Sequence, residues 1–278
     1  MAKKIKKITT FLVTENSKIK YTEVEYDING NEVINTSYFN DESVETKILT
    51  KFNDKNLKIE EITYGQDDEF AEKSVFYWNE NNKLAKQEIV YLDESKSVKT
   101  FERNSSDNSL VITLVDEEGE LEEKEILKFN ETGEIIEKVV FDETEKIIEK
   151  IENEYSDNLL IRQIEFGDND KLAYDRRFKY DENKNLVKRI TLNEKEEVIH
   201  SVSYTYDDFK RVVEQLINNN FILRFTFDDE NRVNTEERLL TTGMIQYQKI
   251  SKFNEENLLT EEEGTEGTKV FEYEYFPE

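Results

Sequence analysis

A short pattern recurs along almost the whole chain: an aromatic residue, then Asp or Asn, then a few polar residues and an apolar-rich run. Successive copies lie 25 or 26 residues apart over long stretches, and a second series falls about halfway between them. Such a repeat strongly constrains the fold, because each copy has to form the same local structure. The main series consists of Tyr26-Asp27, Phe52-Asn53, Trp78-Asn79, Phe129-Asn130, Tyr155, Tyr180-Asp181, Tyr206-Asp207, Phe227-Asp228 and Phe253-Asn254.

A step of about 13 residues matches one β-strand and one turn, since strands usually have roughly 3–10 residues and hairpin loops roughly 2–5. Asn and Asp suit the turns because they tolerate positive φ, and the runs between them are rich in strand-forming Ile, Val, Thr, Tyr and Phe. The sequence therefore predicts an all-β fold, an antiparallel β-meander repeat of about 18–20 short strands with about 26 residues per hairpin. We expect one long, curved or twisted, partly single-layer sheet, with residues 1–278 forming a single continuous domain. The repeat residues are assigned a structural role.

Three stretches depart from the regular pattern. The expected aromatic is displaced near Phe101, which predicts a bulge or a longer loop at 103–108. Residues 144–154 carry isoleucines at helical spacing, but the repeat keeps its register through them, so we favour strand over helix there. Residues 260–267 are polar, and we expect a loop there before a final strand at 270–276.

Charged residues make up 37% of the chain and lie in mid-strand on both predicted faces, as in 121–129. A sheet with one buried face would instead alternate apolar and polar residues. We therefore expect a thin core, with cross-strand charge pairs and aromatic–aliphatic pairs supplying much of the stability.

The formal net charge is −26, from 64 acidic and 38 basic residues. Nucleic acids and anionic membranes both bind clustered Lys and Arg, so the charge argues against either partner. The Lys3–Lys7 segment is interpreted as a solvated strand start. A basic protein partner is the electrostatically favoured one.

The sequence predicts no catalytic, metal or cofactor site. It has no cysteine and a single histidine, His200, which we interpret as a packed sheet residue. The Asp27–Gly30 and Asp168–Asp170 turns lack the spacing of a calcium loop, and no two of the many carboxylates stand out as a hydrolase pair. Trp78 occupies a repeat aromatic position and, like Phe52, is assigned a structural role in the repeat.

Residues 1–20 lack the apolar core of a signal peptide and no apolar run approaches a membrane span, so we expect a cytoplasmic protein.

At Tyr26-Asp27-Ile28-Asn29-Gly30-Asn31, and less fully at Tyr180-Asp181-Glu182-Asn183-Lys184-Asn185, the chain resembles the YD-repeat (Rhs-type) family. Units of that family carry a Tyr-Asp pair, two residues, a Gly and a polar residue, whereas here Asn, Lys or Glu mostly replaces the Gly. The resemblance implies long antiparallel sheets, which in large bacterial toxins form a hollow shell around a cargo.

Three functions are compatible with these features. The first is a non-enzymatic protein-binding or scaffold protein whose acidic sheet engages a basic partner. For such a binding protein, the resemblance to YD-repeat proteins suggests an immunity, chaperone or shell role beside a toxin or secretion system. The second is a structural protein that assembles with copies of itself through end strands or faces. The third is a hydrolase that uses acidic residues in a concave pocket. We favour the first.

Overall fold

The structure is a computed structural model that describes residues 3–167 and 171–277. Within those residues the chain is all-β, with 22 strands and one short 3₁₀ helix at Gln66–Asp68. The all-β prediction is confirmed, and the strands slightly outnumber the predicted 18–20. The strands are β1 Ile5–Val13, β2 Lys18–Tyr26, β3 Glu32–Tyr38, β4 Val44–Phe52, β5 Lys58–Tyr64, β6 Phe70–Trp78, β7 Leu84–Tyr91, β8 Lys96–Asn104, β9 Ser109–Val115, β10 Leu121–Phe129, β11 Ile135–Phe141, β12 Ile147–Ser156, β13 Leu159–Phe166, β14 Leu172–Tyr180, β15 Leu186–Leu192, β16 Val198–Tyr206, β17 Val212–Ile217, β18 Phe221–Asp228, β19 Val233–Leu240, β20 Ile245–Phe253, β21 Leu259–Gly264 and β22 Gly267–Tyr275.

The meander is antiparallel, and strands that follow one another in sequence pair as hairpins, as β2 does with β3 and β10 with β11. The first strand, β1, also pairs with the last, β22, over nearly its whole length, from Ile5 opposite Tyr275 to Val13 opposite Thr268. The strand order of the sheet therefore closes on itself. The sequence predicted one long, curved or twisted sheet and left open whether it closes. In the structure both terminal strands have a partner on each side, so neither forms a free edge.

The chain forms two compact units. Unit 1 consists of the segments up to residue 98, 227–234 and from residue 249 onward, and unit 2 consists of 99–226 and 235–248. β1 to β7, β21 and β22 belong to unit 1, and β9 to β17 belong to unit 2. A single continuous domain stays a prediction.

The Asp or Asn of the repeat closes each turn. In the first copy, Asp27 Oδ1 accepts the backbone N–H groups of Asn29 and Asn31 at 2.8 and 2.9 Å. The fourth turn residue, Gly30, has φ +90°, and its N–H donates to the Asp27 carbonyl. The same pair of side-chain bonds recurs at Asn53, Asn79, Asp116, Asn130, Asp142, Asp181, Asn193, Asp207 and Asn254. Asp228 differs, since its Oδ1 accepts the N–H of Asn231, three residues on.

The fourth turn position has a left-handed backbone whichever residue occupies it. It has positive φ in every copy that has the two bonds, including +58° at Asn56, +65° at Lys184 and +61° at Glu196. Glycine adopts this conformation without strain, while other L-residues adopt it at a cost in free energy. The two side-chain bonds of the first turn residue are made in copies with glycine at this position, as at Asp27, and in copies without it, as at Asn193.

A β-bulge follows most of the turns. Tyr26 lies opposite Glu32 while Glu25 lies opposite Ile34, so Val33 has no residue across from it. The same shift occurs at Phe52, Trp78, Phe129, Tyr155, Tyr180, Tyr206 and Phe253. The pairs β17–β18 and β21–β22 have no such shift. Bulges are thus a recurring feature of the hairpins, and each increases the local strand twist.

Several repeat aromatics bond to the preceding strand. The hydroxyls of Tyr155, Tyr180 and Tyr206 donate to the carbonyls of Ile135, Leu160 and Leu186 at 3.1, 2.8 and 2.7 Å. Trp78 Nε1 donates to the Lys58 carbonyl at 2.7 Å in the same manner. Each aromatic lies twenty residues after its acceptor, so the bond fixes the length of the hairpin as well as its register.

The core is thin, as expected. In the described residues six apolar side chains are buried, and small polar residues such as Thr36, Ser74 and Ser97 are buried between longer neighbours. Charges in mid-strand pair across the sheet, as Lys138 does with Glu149 at 2.9 Å.

The irregular stretches have different outcomes. Strand is confirmed at Ile147–Ser156, where helix was the alternative. The turn at 105–108 is a short one of four residues, so the alternative of a longer loop there is wrong. The loop predicted at 260–267 is also wrong, because Leu259–Gly264 forms β21. Its glutamates are held in the sheet by lysines on β20, with Lys252 bonded to Glu261 and Lys249 3.7 Å from Glu262.

Candidate functional site: an acidic rim on unit 2

Alternate turns of an antiparallel meander lie along the same edge of the sheet. In unit 2 one such edge includes the turns β9–β10 (116–120), β11–β12 (142–146) and β15–β16 (193–197), which together are called the acidic rim. Since neighbouring strands lie about 4.8 Å apart, the first two turns are about 10 Å apart and the third lies about 20 Å beyond the second. These three turns contain ten carboxylates and two lysines. The rim is therefore an acidic part of one edge of the unit.

Most of the rim carboxylates are exposed and form no ion pair with a residue that the structure describes. Eight are exposed: Glu117, Glu118, Glu120, Glu143, Glu145, Glu194, Glu196 and Glu197. In the part of the chain that the structure describes, none of these eight forms an ion pair. The strand carboxylates differ, because Glu137 and Glu149 each lie 2.9 Å from a lysine on a neighbouring strand. The rim charge is therefore available to a partner.

The rim is held in place by its own turn bonds. Asp142 Oδ1 accepts the N–H groups of Thr144 and Lys146, and Asn193 Oδ1 accepts those of Lys195 and Glu197. The Thr144 hydroxyl also donates to Asp142 and, with these backbone bonds, holds the pKa of the Asp142 carboxyl below its usual range. Preformed turns reduce the entropy that binding would cost.

Exposed aliphatic side chains follow two of the rim turns. Ile148 and Ile199 are unopposed bulge residues, 44% and 46% exposed, and Val198 is 58% exposed. The bulge thus places apolar surface directly beside carboxylates. These residues were not predicted as part of a site, although aliphatic pairs directly after acidic turns, at 147–148 and 198–199, are visible in the sequence.

The predicted repeat residues do not converge on one site. They are distributed along the strands and turns of both units, where the described contacts give them structural roles. His200 lies on β16 opposite Thr191 and is partly buried. Over residues 3–167 and 171–277 no cluster of His, Asp and Glu has an arrangement suited to a metal ion. The Asp168–Asp170 turn lies outside the described residues.

The Lys3–Lys7 segment runs into β1. Lys7 pairs with Glu23 and Glu274, at 3.5 and 2.8 Å, whereas Lys3 and Lys4 are exposed beside a cavity of about 390 Å³. Nowhere in the described chain is there a helix with the length and apolarity to cross a membrane.

No family model matches the chain, and no curated protein sequence matches it significantly. Among solved structures, the chain is similar to a Photorhabdus luminescens Tc holotoxin pore at 12% identity and a TM-score of 0.40, and to a TcdB2-TccC3 complex at 12% and 0.38. Each match covers 90% of this chain, but this chain spans only 15% of the length of either toxin chain. A porin-like protein from Bacteroides uniformis matches at 11% identity and a TM-score of 0.34, covering 97% of this chain and 98% of the other. These similarities are too low to assign a family or a function.

Proposed function

We propose that this chain is a non-enzymatic protein-binding or scaffold protein whose acidic rim engages a basic protein partner. The observation that carries the proposal is the row of eight exposed, unpaired carboxylates on turns held by their own hydrogen bonds. Complementary charge steers association and fixes the register of a partner.

The exposed aliphatics define the kind of partner further. Ile148, Val198 and Ile199 lie next to carboxylates, so the surface suits a segment that carries both apolar and basic side chains. Nucleic acids and anionic membranes do not fit, because the rim would repel phosphate groups at close range. A basic, amphipathic protein segment satisfies both features.

The resemblance to YD-repeat proteins supports a role beside a bacterial toxin or secretion system, as an immunity protein, a chaperone or part of a shell. A cytoplasmic location belongs to the same proposal, and cell fractionation tests it. Assembly with further copies stays the alternative. Pairing of β1 with β22 leaves no terminal edge for stacking by end strands, so assembly would use the faces.

The test is capture of a partner from a lysate of the native organism, followed by titration of the identified partner against matched variants. The rim variant is Glu117→Lys/Glu143→Lys/Glu194→Lys, and the control is Asp54→Lys/Glu80→Lys/Glu255→Lys on unit 1 turns. All six residues are exposed and follow the first residue of the same type of turn, so the change of charge and the local backbone are matched.

We expect the rim variant to bind roughly tenfold or more weakly at about 0.1 M salt, and the control to change far less, because screening limits each charge to about 10 Å. Raising the salt should weaken binding of the parent protein and the control. Binding that is insensitive to salt, or equal losses in both variants, would contradict the proposal. Recovery of the bait alone, at a mass above the monomer, would favour self-assembly.

A further inference from the structure

Four cations meet on one face of unit 2, although the protein carries a net charge of −26. Arg162 on β13 lies directly opposite Arg177 on β14, and Lys179 on β14 lies directly opposite Lys188 on β15. Arg177 and Lys179 are two residues apart, so all four share one face. They are called the cationic patch. Like charges directly opposite each other destabilise a sheet, so the arrangement requires a compensating group.

Asp175 compensates for the two arginines. It lies on the same face of β14 and is only 4% exposed. Arg162 donates to both of its oxygens at 3.0 Å through Nε and Nη2, and Arg177 donates to Oδ2 through Nε and Nη2 at 3.2 and 2.9 Å. Burial alone raises the pKa of the Asp175 carboxyl, but the arginine bonds outweigh it and the pKa lies below its usual range. Asp175 therefore holds both guanidinium groups in fixed orientations.

The lysines have no such partner. Neither Lys179 nor Lys188 forms an ion pair with any residue that the structure describes, and both are exposed. The first carboxylate of each nearby turn is already engaged, whereas Glu182 and Asp208, which follow them, are exposed and form no ion pair with a residue that the structure describes. Asp181 accepts two backbone N–H groups and the Asn185 amide, and Asp207 accepts two N–H groups and lies 2.7 Å from Arg211. Glu154 lies 3.2 Å from Arg162.

The acidic rim does not cancel this charge. Lys188 on β15 lies five residues before Asn193, the first residue of the turn that follows this strand, a distance of about 17 Å at about 3.3 Å per residue. Exposed charges are largely screened beyond about 10 Å at 0.1 M salt. The patch therefore presents local positive charge to a ligand.

We propose that Arg177, Lys179 and Lys188 form a binding site for a phosphate group, free or as the monoester of a small molecule. Asp175 binds Nε and Nη2 of Arg177, which leaves the N–H groups of Nη1 available to a ligand. The ammonium groups of Lys179 and Lys188, on residues directly opposite each other, supply further donors that can rotate to meet it. A planar arginine fork with two lysines suits the three terminal oxygens of a phosphate dianion. Arg162 acts through Asp175 as a positioning residue. The site is independent of the acidic rim.

The test is titration of the full chain with inorganic phosphate and, separately, with glycerol phosphate, by calorimetry at constant ionic strength. The patch variant is Lys179→Gln/Lys188→Gln. The matched control is Lys3→Gln/Lys83→Gln, which removes two exposed lysines from unit 1. A third variant, Arg177→Lys, keeps the charge but removes the planar fork.

We expect saturable binding to the parent protein, at least roughly tenfold weaker binding to the patch variant, and no change in the control, since the patch variant loses two of the three cationic groups that would contact the phosphate. Arg177→Lys should also bind more weakly, which a site of charge alone would not show. Tighter binding of glycerol phosphate would identify a phosphorylated small molecule, and equal binding would identify free phosphate. Absence of saturable binding, or equal loss in the patch variant and the control, would overturn the proposal.

Discussion

The acidic rim and the cationic patch lie on the same unit but are built in different ways. The rim carboxylates come from contiguous turn segments, such as 142–146, and each turn is closed by bonds within five residues. The patch is assembled from β13, β14 and β15, and its arginines are held by one buried carboxylate, Asp175. The rim thus depends on local turn chemistry, whereas the patch depends on strand register.

This difference predicts how each region fails. A register slip of one residue moves every side chain of a strand to the opposite face, so a slip of β14 would separate Arg177 from Arg162. The turns of the rim would survive such a slip, because their bonds do not cross between hairpins. The patch therefore depends on the bulges in the β13–β14 and β14–β15 pairs, since these set the register in which its residues lie opposite one another.

Acidification should have the largest effect and should act on both regions together. The pKa values of Asp175, Asp142, Asp181 and Asp207 lie below their ordinary values in the folded protein, for Asp175 because arginine bonds outweigh the opposing effect of burial. Their ionised forms favour folding, so this stability is present above about pH 4, the unfolded value, and is lost as the pH falls through the folded values. Urea unfolding between pH 7 and pH 2, followed by circular dichroism, should show the loss confined to the acid side. A free energy of unfolding that rises below pH 4 would contradict this prediction.

The next largest effect is expected at the patch. Asp175→Asn keeps the shape of the side chain and leaves two guanidinium groups facing each other. Breaking a buried ion pair costs about 3–5 kcal/mol, and since Arg162 and Arg177 reach solvent we expect about 2–3 kcal/mol here.

The matched control for Asp175→Asn is Glu165→Gln. Glu165 pairs with Arg176 at 2.7 Å on the other face of the same strands and is partly exposed. We expect Glu165→Gln to lower the free energy of unfolding by less than about 1 kcal/mol. Urea midpoints at pH 7 measure both changes, and equal losses would show that Asp175 is an ordinary surface pair.

The smallest effect is expected at a rim turn. Asn193→Ala removes the acceptor of two backbone N–H groups and should cost about 1 kcal/mol. Asn183→Ala is the control, because it removes an exposed amide in the same type of turn and should stay within about 0.5 kcal/mol. The free energy of unfolding measures both. A larger loss at Asn183 would mean that the side-chain bonds do not hold these turns.

Local features of the fold could be predicted from the sequence. The spacing of Tyr26, Phe52 and Trp78 predicted hairpins of about 26 residues, and the structure places an Asp or Asn turn after each. The acidic character of the surface also follows from the net charge. These features depend on residues close together in the chain, where propensity and turn chemistry decide the outcome.

Features that depend on cross-strand partners could not be predicted. Residues 260–267 were predicted to form a loop because they are polar, yet Leu259–Gly264 forms a strand whose glutamates pair with lysines on β20. The patch was not predicted because Arg162, Arg177 and Lys188 are far apart in sequence, and only the register of the strands brings them together. A local excess of basic residues between 162 and 189 is the one signal that the sequence offers.

The pairing of β1 with β22 has a consequence for the order of folding. A hairpin such as β2–β3 brings together residues close in sequence, whereas Lys18 and Glu272, which also bond, are 254 residues apart. Paired residues of the hairpin are 6 to 15 residues apart, and closing a loop about 25 times longer costs about 3 kcal/mol more in chain entropy. We therefore expect the seam between first and last strand to form late, after the hairpins. During synthesis β1 keeps an unpaired edge until the ribosome has delivered β22, and for that interval the nascent chain is most exposed to pairing with the wrong strand.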